Sequence, residues 1–290
     1  MAKKPFFSII IPTLNEQKYL PNLLTDLSKQ TYQDFEVIIA DGHSEDKTVA
    51  KATKLAAKLP SLKIINSDIR QVCTQRNLGA KKSRAATLVF MDADNRIPPN
   101  FLSGIKYRWE ESGVDLLTSR FQPDLISPLN LSIASTINLF FELQNNLKPT
   151  YLLEAMFVVS RKCFNAINGF DESVNYAEGK SIIQTATKLN FKAVFARDPI
   201  WTFSFRRIRK YGVLSITRSI VSLELYSLLG LDPKQTKLEN LYTMKGGSFY
   251  AESRRQAILA KLQKKLKSKS AQNKLISRLN ALLSSLKSDQ

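Results

Sequence analysis

The chain has 290 residues, with 43 Lys and Arg against 25 Asp and Glu, a 43% apolar content, one His, two Cys and ten Gly. Length and apolar content support one large domain, or a domain with an appendage, and exclude wholesale disorder. One His excludes the HExxH motif, Cys73 and Cys163 are too few for a zinc cluster or a disulfide framework, and the glycines form neither GxGxxG nor GxxxxGK[ST].

Phe7 to Ile11 reads as a buried strand ended by Pro12. Leu20, Leu23, Leu24 and Leu27 recur at helical spacing, which predicts a helix over 19–27. Phe35 to Ala40 is a second strand, followed by a polar turn and a helix over 48–59. A third strand over 62–65, a helix over 74–83 and a fourth strand over 87–91 complete the alternation. Strands alternating with helices build a parallel sheet covered on both faces, whose ligands sit at the carboxyl ends of the strands.

Three polar loops occupy those ends: Pro12-Thr13-Leu14-Asn15-Glu16, then Asp41-Gly42-His43-Ser44-Glu45-Asp46-Lys47-Thr48, then Asp92-Ala93-Asp94. Each has an ordinary structural reading, with Asn15, Ser44 and Asp46 as helix caps and the two later aspartates as loop residues. Together on one rim they point to a ligand. The i, i+2 spacing of Asp92 and Asp94 lets one carboxylate face a cleft while the other reaches a hard cation, Mg²⁺ or Mn²⁺, which commonly bridges to substrate phosphates. Gly42-His43-Ser44 has the outline of a nucleophile elbow. Asp46 replaces its second Gly, and the only His adjoins Ser44, so a triad hydrolase is excluded.

The loop motifs, followed by Arg76-Asn77-Leu78-Gly79-Ala80, Phe90-Met91-Asp92-Ala93-Asp94 and Asn168-Gly169-Phe170-Asp171-Glu172, resemble the family 2 glycosyltransferases in order and spacing over about residues 5 to 210. The resemblance implies the α/β GT-A nucleotide-sugar fold, a Rossmann-like mixed, mostly parallel sheet flanked by helices. It implies a catalytic domain over 1–210 and transfer of a sugar, with inversion, from a nucleotide-diphosphate donor, UDP-linked, to a saccharide or lipid-linked acceptor of the cell-envelope polysaccharide kind. Carried onto this chain, Pro12, Thr13 and Glu16 line the nucleoside pocket, Asp41 accepts from the base, and Arg76 lies near the base or diphosphate. Asp92 faces the ribose, Asp94 of the DxD motif holds Mn²⁺ or Mg²⁺, and Arg206 and Arg207 form a basic pair beyond the last strand. That pair either clamps phosphate oxygens or is a solvated helix start.

Relatives place a Glu-Asp pair after the Gly-Phe-Asp-Glu stretch, its Asp taking the acceptor proton. Here the stretch is Tyr176-Ala177-Glu178-Gly179-Lys180-Ser181, so Gly179 stands where the Asp is expected. Glu178 is the first candidate base and Asp171 the second, with Glu172 beside it. Gly179 also motivates a second reading, a non-catalytic nucleotide-sugar-binding protein.

Residues 211–290 form a basic extension. From Trp201 onward lie 18 basic and five acidic residues, which is +13 of the net +18. The spacing predicts a helix over 213–231 and a basic amphipathic helix pair from Arg254, carrying Leu259, Leu262, Leu266, Ile276, Leu279, Leu283 and Leu286. Such a segment contacts an anionic membrane, or packs on the catalytic domain or another subunit with its Lys face solvated. Its charge also motivates a nucleic-acid reading, but no recognition motif accompanies it, and no nucleic-acid partner is expected. The longest charge-free stretch, Leu125 to Phe141, falls short of the ~20 apolar residues of a membrane span. Few cysteines and a start that runs straight into a strand predict a cytoplasmic protein, peripheral at most to the inner membrane face.

Overall fold

The structure, a computed structural model, describes residues 4–144, 151–173 and 178–213. Strands β1 (Phe7–Thr13), β2 (Phe35–Asp41), β3 (Leu62–Asn66) and β4 (Thr87–Met91) run parallel in the spatial order β3-β2-β1-β4. The sheet continues as β6-β5-β7, from β5 (Leu116–Pro123), β6 (Met156–Ser160) and β7 (Ala193–Phe203). β6 is antiparallel to both β4 and β5, while β5 and β7 are parallel. The sheet is therefore mixed and mostly parallel, the GT-A arrangement implied by the motifs.

Strand periodicity sorts the core into two layers. Phe7, Ile9, Ile11, Val37, Ile39, Val89 and Met91 pack with Leu20, Leu23, Leu24 and Leu27 of α1 (Leu20–Ser28) and with Phe101, Leu102 and Ile105 of α4 (Phe101–Ser112). The alternate residues Ile10, Ile38, Leu88 and Phe90 pack with Cys73 and Ala80 of α3 (Val72–Lys82), Cys163 and Phe164 of α6 (Arg161–Ala166), and Ile182, Ile183 and Ala186 of α7 (Glu178–Lys188). Burial on both faces explains why β1, β2 and β4 read as continuous apolar runs. Among the described residues three further α-helices are α2 (Thr48–Leu55), α5 (Pro128–Gln144) and α8 (Arg206–Tyr211).

Two helix boundaries differ from expectation by more than one residue. The helix expected over 48–59 closes at Leu55 and continues as a 3-10 turn, Ala56–Lys58. α3 begins at Val72, two residues early, because the Gln71 side-chain oxygen accepts from Thr74 N at 3.0 Å and caps it. Gln is not among the preferred capping residues, so spacing alone hides the start.

α3 lies so close to β1 that a Cβ on Gly79 would collide with Ile10 Cγ2. Gly79→Ala is therefore expected to destabilise the fold by ~1–3 kcal/mol through overpacking. The readout is a lower urea midpoint at an unchanged slope; an unshifted midpoint would show that α3 can move off the strand.

Among the described residues, no helix is long and apolar enough to cross a membrane. The helix expected over 213–231, beyond Val213, and the basic pair from Arg254 lie outside the described residues, as does nearly all of the 211–290 extension.

Candidate active site

The carboxyl ends of β1 and β2 lie side by side, with Thr13 opposite Asp41. Asp41 is 1% exposed and its carboxylate accepts three hydrogen bonds. Thr13 Oγ1 donates to Oδ1 at 2.9 Å, Ser44 Oγ to the same oxygen at 2.6 Å, and Ser44 N to Oδ2 at 2.7 Å. Ser44 Oγ in turn accepts from Asn15 N at 2.9 Å, and Asn15 Oδ1 accepts from Glu45 N at 2.8 Å. Asn15 thus locks two loops together rather than capping α1, whose first turn has no side-chain cap. Asp46 does serve α2, accepting from Thr48 N at 2.8 Å, and it also accepts from Gln17 N at 3.2 Å. Pro12 and Thr13 are buried at the strand end.

β4 delivers Asp92 and Asp94 to the same rim. Asp92 N donates to Ala155 O at 2.9 Å, which fastens the loop to the residues before β6. Beneath it, Arg76 of α3 is 3% exposed and lies over the Phe170 ring at 5.2 Å. Its Nη2 donates to Asp92 Oδ1 at 2.8 Å and to Glu154 O at 3.3 Å. Arg76 therefore acts from below the rim, on Asp92.

Arg206, at the start of α8, closes the cluster. Its Nη1 and Nη2 donate to Glu16 Oε2 and Oε1 at 3.0 and 2.8 Å, and its Nε lies 2.9 Å from Asp94 Oδ2. The guanidinium also covers the Tyr19 ring at 5.0 Å. Arg207, the next residue, is half-buried. The fork geometry suits two carboxylates, and the same fork suits phosphate oxygens.

Burial pushes the Glu16 carboxyl up to about 7; Arg206 pulls it down, and the charges of Asp94 and Asp92 add to the rise. Burial likewise raises the Asp94 carboxyl, Arg206 again opposing and Asp92 adding. Both shifts come chiefly from burial, with the neighbouring carboxylates adding and Arg206 opposing. Among the described residues, no group of three His, Cys, Asp or Glu side chains is placed to hold a metal. A single carboxylate such as that of Asp94 is the kind of oxygen donor that a hard divalent cation takes, the rest of its shell being left to water and phosphate oxygens. In this structure Arg206 provides the counter-charge.

A family model, that of glycosyl transferase family 2, matches residues 8–159, more than half of the chain. The chain belongs to glycosyl transferase family 2. Over 94 residues it is 39% identical to the PGL/p-HBAD biosynthesis glycosyltransferase of Mycobacterium tuberculosis, a match covering 32% of this chain and 37% of that protein. Over 116 residues it is 32% identical to glycosyltransferase AglE of Haloferax volcanii, covering 39% and 38%. The similarity thus spans well under half the length of these curated relatives. Among solved structures, Staphylococcus aureus TarS residues 1–349 in complex with UDP-GlcNAc matches with a TM-score of 0.55 at 22% identity, over 70% of this chain and 59% of that one. Mannosyltransferase PcManGT of Pyrobaculum calidifontis, in complex with GDP-Man and Mn²⁺, matches with a TM-score of 0.64 at 15% identity, over 94% and 83%. These two likenesses show the shared fold.

The family match runs from β1 to β6. It includes the three rim loops and ends before Asp171, Glu178 and Arg206. Asp171 is exposed, its Oδ1 accepting from Ser173 N at 2.8 Å. Glu172 is tied to α3, its carboxylate accepting from Asn77 Nδ2 and Thr74 Oγ1, each at 2.8 Å. Glu178 opens α7, and its side chain lies outside the described part. Sequence reasoning missed one acidic residue of this neighbourhood, Glu154, which has no motif around it and is brought in only by the antiparallel pairing of β6 with β4.

Proposed function

We propose that this chain transfers a glycosyl group, with inversion and with the help of Mn²⁺ or Mg²⁺, from a UDP-sugar to a saccharide or lipid-linked acceptor. The observation that supports it most is the convergence of Glu16 and Asp94 on the Arg206 fork at the carboxyl ends of β1 and β4, in a family 2 chain. The strand order turns about β1, whose neighbours are β2 and β4, and such a crevice receives the nucleotide in doubly wound sheets. Pro12, Thr13, Glu16 and Asp41 form the nucleoside side of the crevice, with Asp92 toward the ribose. Asp94 would hold the cation, which when bound neutralises charge developing on the departing diphosphate. Arg206 and Arg207 then face the phosphates as additional cations. The two structural neighbours carry UDP-GlcNAc and GDP-Man, which supports a nucleotide-sugar ligand for the fold.

Gly179 favours a second reading, a nucleotide-sugar-binding protein without turnover. One experiment separates the two. A thermal melt with Mn²⁺ and UDP-GlcNAc, UDP-glucose, UDP-galactose or GDP-mannose is expected to raise the midpoint for one donor. At a hundred times Kd the gain is about 2.7 kcal/mol, at roughly 2–4 °C per kcal/mol for a domain of this size. Release of nucleotide diphosphate from that donor marks an enzyme; a shift without release marks the binding protein. No shift with any of the four sinks both.

A further inference from the structure

The Gly179 backbone N–H, in the first turn of α7, donates to Glu154 Oε1 at 2.8 Å. A Cβ built on Gly179 would lie 2.7 Å from Glu154 Cγ, 3.2 Å from Glu154 Cδ and 2.6 Å from Leu152 O. The space that any side chain at 179 would enter is thus already filled by the arm of Glu154. The position expected to carry a carboxylate has none, and a carboxylate from another strand end stands against its backbone.

Glu154 is also placed on the donor side. Met156 pairs with Met91 in the antiparallel β4–β6 ladder, so the residues before Met156 run alongside those after Met91. Ala155 O accepts from Asp92 N at 2.9 Å, and Glu154 O accepts from the same Arg76 nitrogen that holds Asp92. Glu154 is half-buried, so it is in reach of a ligand in the crevice while fixed by its neighbours. The Lys180 ammonium over the Tyr151 ring, at 5.2 Å, further binds α7 to the 151–155 segment.

We infer that Glu154 is the proton acceptor of the transfer reaction, a catalytic residue replacing the carboxylate that position 179 lacks. This rests on the glycosyl-transfer reading above. The acceptor hydroxyl proton passes to the Glu154 carboxylate as the acceptor oxygen bonds to the anomeric carbon. The bond from that carbon to the donor phosphate oxygen breaks, and its electron pair leaves with the nucleotide diphosphate. General-base help of this kind is typically worth ~10²–10⁴ in rate.

The test uses the full chain, Mn²⁺ and the sugar nucleotide that gives the thermal shift, with water as acceptor and nucleotide-diphosphate release as the readout. Glu154→Gln keeps an oxygen for the Gly179 N–H and removes the proton acceptor. Release is expected to fall ~10²–10⁴-fold with UDP affinity, measured by calorimetry, within about twofold of native. Glu154→Asp, which keeps the carboxylate, is expected to recover part of the rate. Release by Glu154→Gln at the native rate overturns the inference. So does a parallel loss of UDP affinity and rate in both variants, which marks Glu154 as structural only. If Glu154→Gln does not fold, a Glu154→Asp protein that binds UDP as native yet releases none at all also overturns it. Collapse on Glu178→Gln beside a fully active Glu154→Gln returns the role to Glu178. A native protein that binds no nucleotide sinks the parent reading, whereas a native protein active alongside Glu154→Gln sinks this one alone.

Discussion

Replacing Asp94 by Asn is expected to remove the Mn²⁺ dependence of nucleotide-diphosphate affinity and to lower donor turnover by ~10²–10³-fold, the scale of losing one preorganised charge contact to the leaving group. Asn keeps the shape of the loop and its contact to Arg206 while losing the anionic oxygen that a hard cation requires. The native site holds Glu16, Asp92 and Asp94 against the guanidiniums of Arg206 and Arg76, and burial raises both the Glu16 and Asp94 carboxyls. Protons therefore compete with the cation. Burial raises the Asp94 carboxyl, so Mn²⁺-dependent affinity should climb as pH rises through that raised value in the native protein. Stability runs the other way: the raised Glu16 favours the fold fully below its unfolded value of 4.5, and the advantage fades as pH passes about 7. Calorimetry with UDP, with and without Mn²⁺, checks the first expectation. Equal metal dependence in native and Asp94→Asn proteins would take Asp94 out of the site.

The half of the fold that holds the donor rim was legible because its strands are central. Ile9, Ile10 and Ile11 are each fully buried, so β1 needs no alternation to announce itself, and the polar residues after Ile11, Ala40 and Met91 stand out against it. The other half was less legible. β7 carries exposed Arg197, Asp198 and Ile200 among buried residues, and its register against β5 shifts between Ser119 and Phe121. Neither a strict period of two nor a continuous apolar run survives such a strand. Site residues followed the same division. Asp41, Asp92 and Asp94 sit directly after strands, where local pattern finds them. The Arg206 contact to Glu16 spans 190 residues, and the Gly179 contact to Glu154 spans 25 across a strand and a helix. Resemblance offered Arg206 as a phosphate clamp or a solvated helix start, while its present partners are carboxylates that only tertiary folding supplies. The Gly179 departure was visible in the sequence. What fills the space beside it was not.

Arg76→Ala is expected to cost about 3 kcal/mol of stability, the lower end of the range for breaking a buried ion pair, because its partner Asp92 retains 35% side-chain exposure and so recovers some hydration. The guanidinium sits in the second core layer's upper edge, over Phe170, whose ring also meets Phe90, Phe157 and Phe164. Truncation removes three things at once: the 2.8 Å bond that holds Asp92, the contact to Glu154 O, and the packing over the aromatic cluster. At ~2–4 °C per kcal/mol, the midpoint should fall by roughly 6–12 °C. Arg76→Met separates the contributions. It refills most of the volume with a flexible apolar chain, so packing returns while the polar bonds stay broken. If packing dominates, Arg76→Met should recover most of the midpoint; if the pair dominates, it should melt near Arg76→Ala. Pairing is expected to dominate, since Asp92 N remains tethered to Ala155 O and keeps the carboxylate near the position it holds now. A double variant, Arg76→Met with Asp92→Asn, removes the stranded charge and should then be more stable than Arg76→Met alone. The opposite order would mean that Asp92 is comfortably hydrated without Arg76 and that the buried arginine serves chiefly as a wedge between α3 and the aromatic cluster.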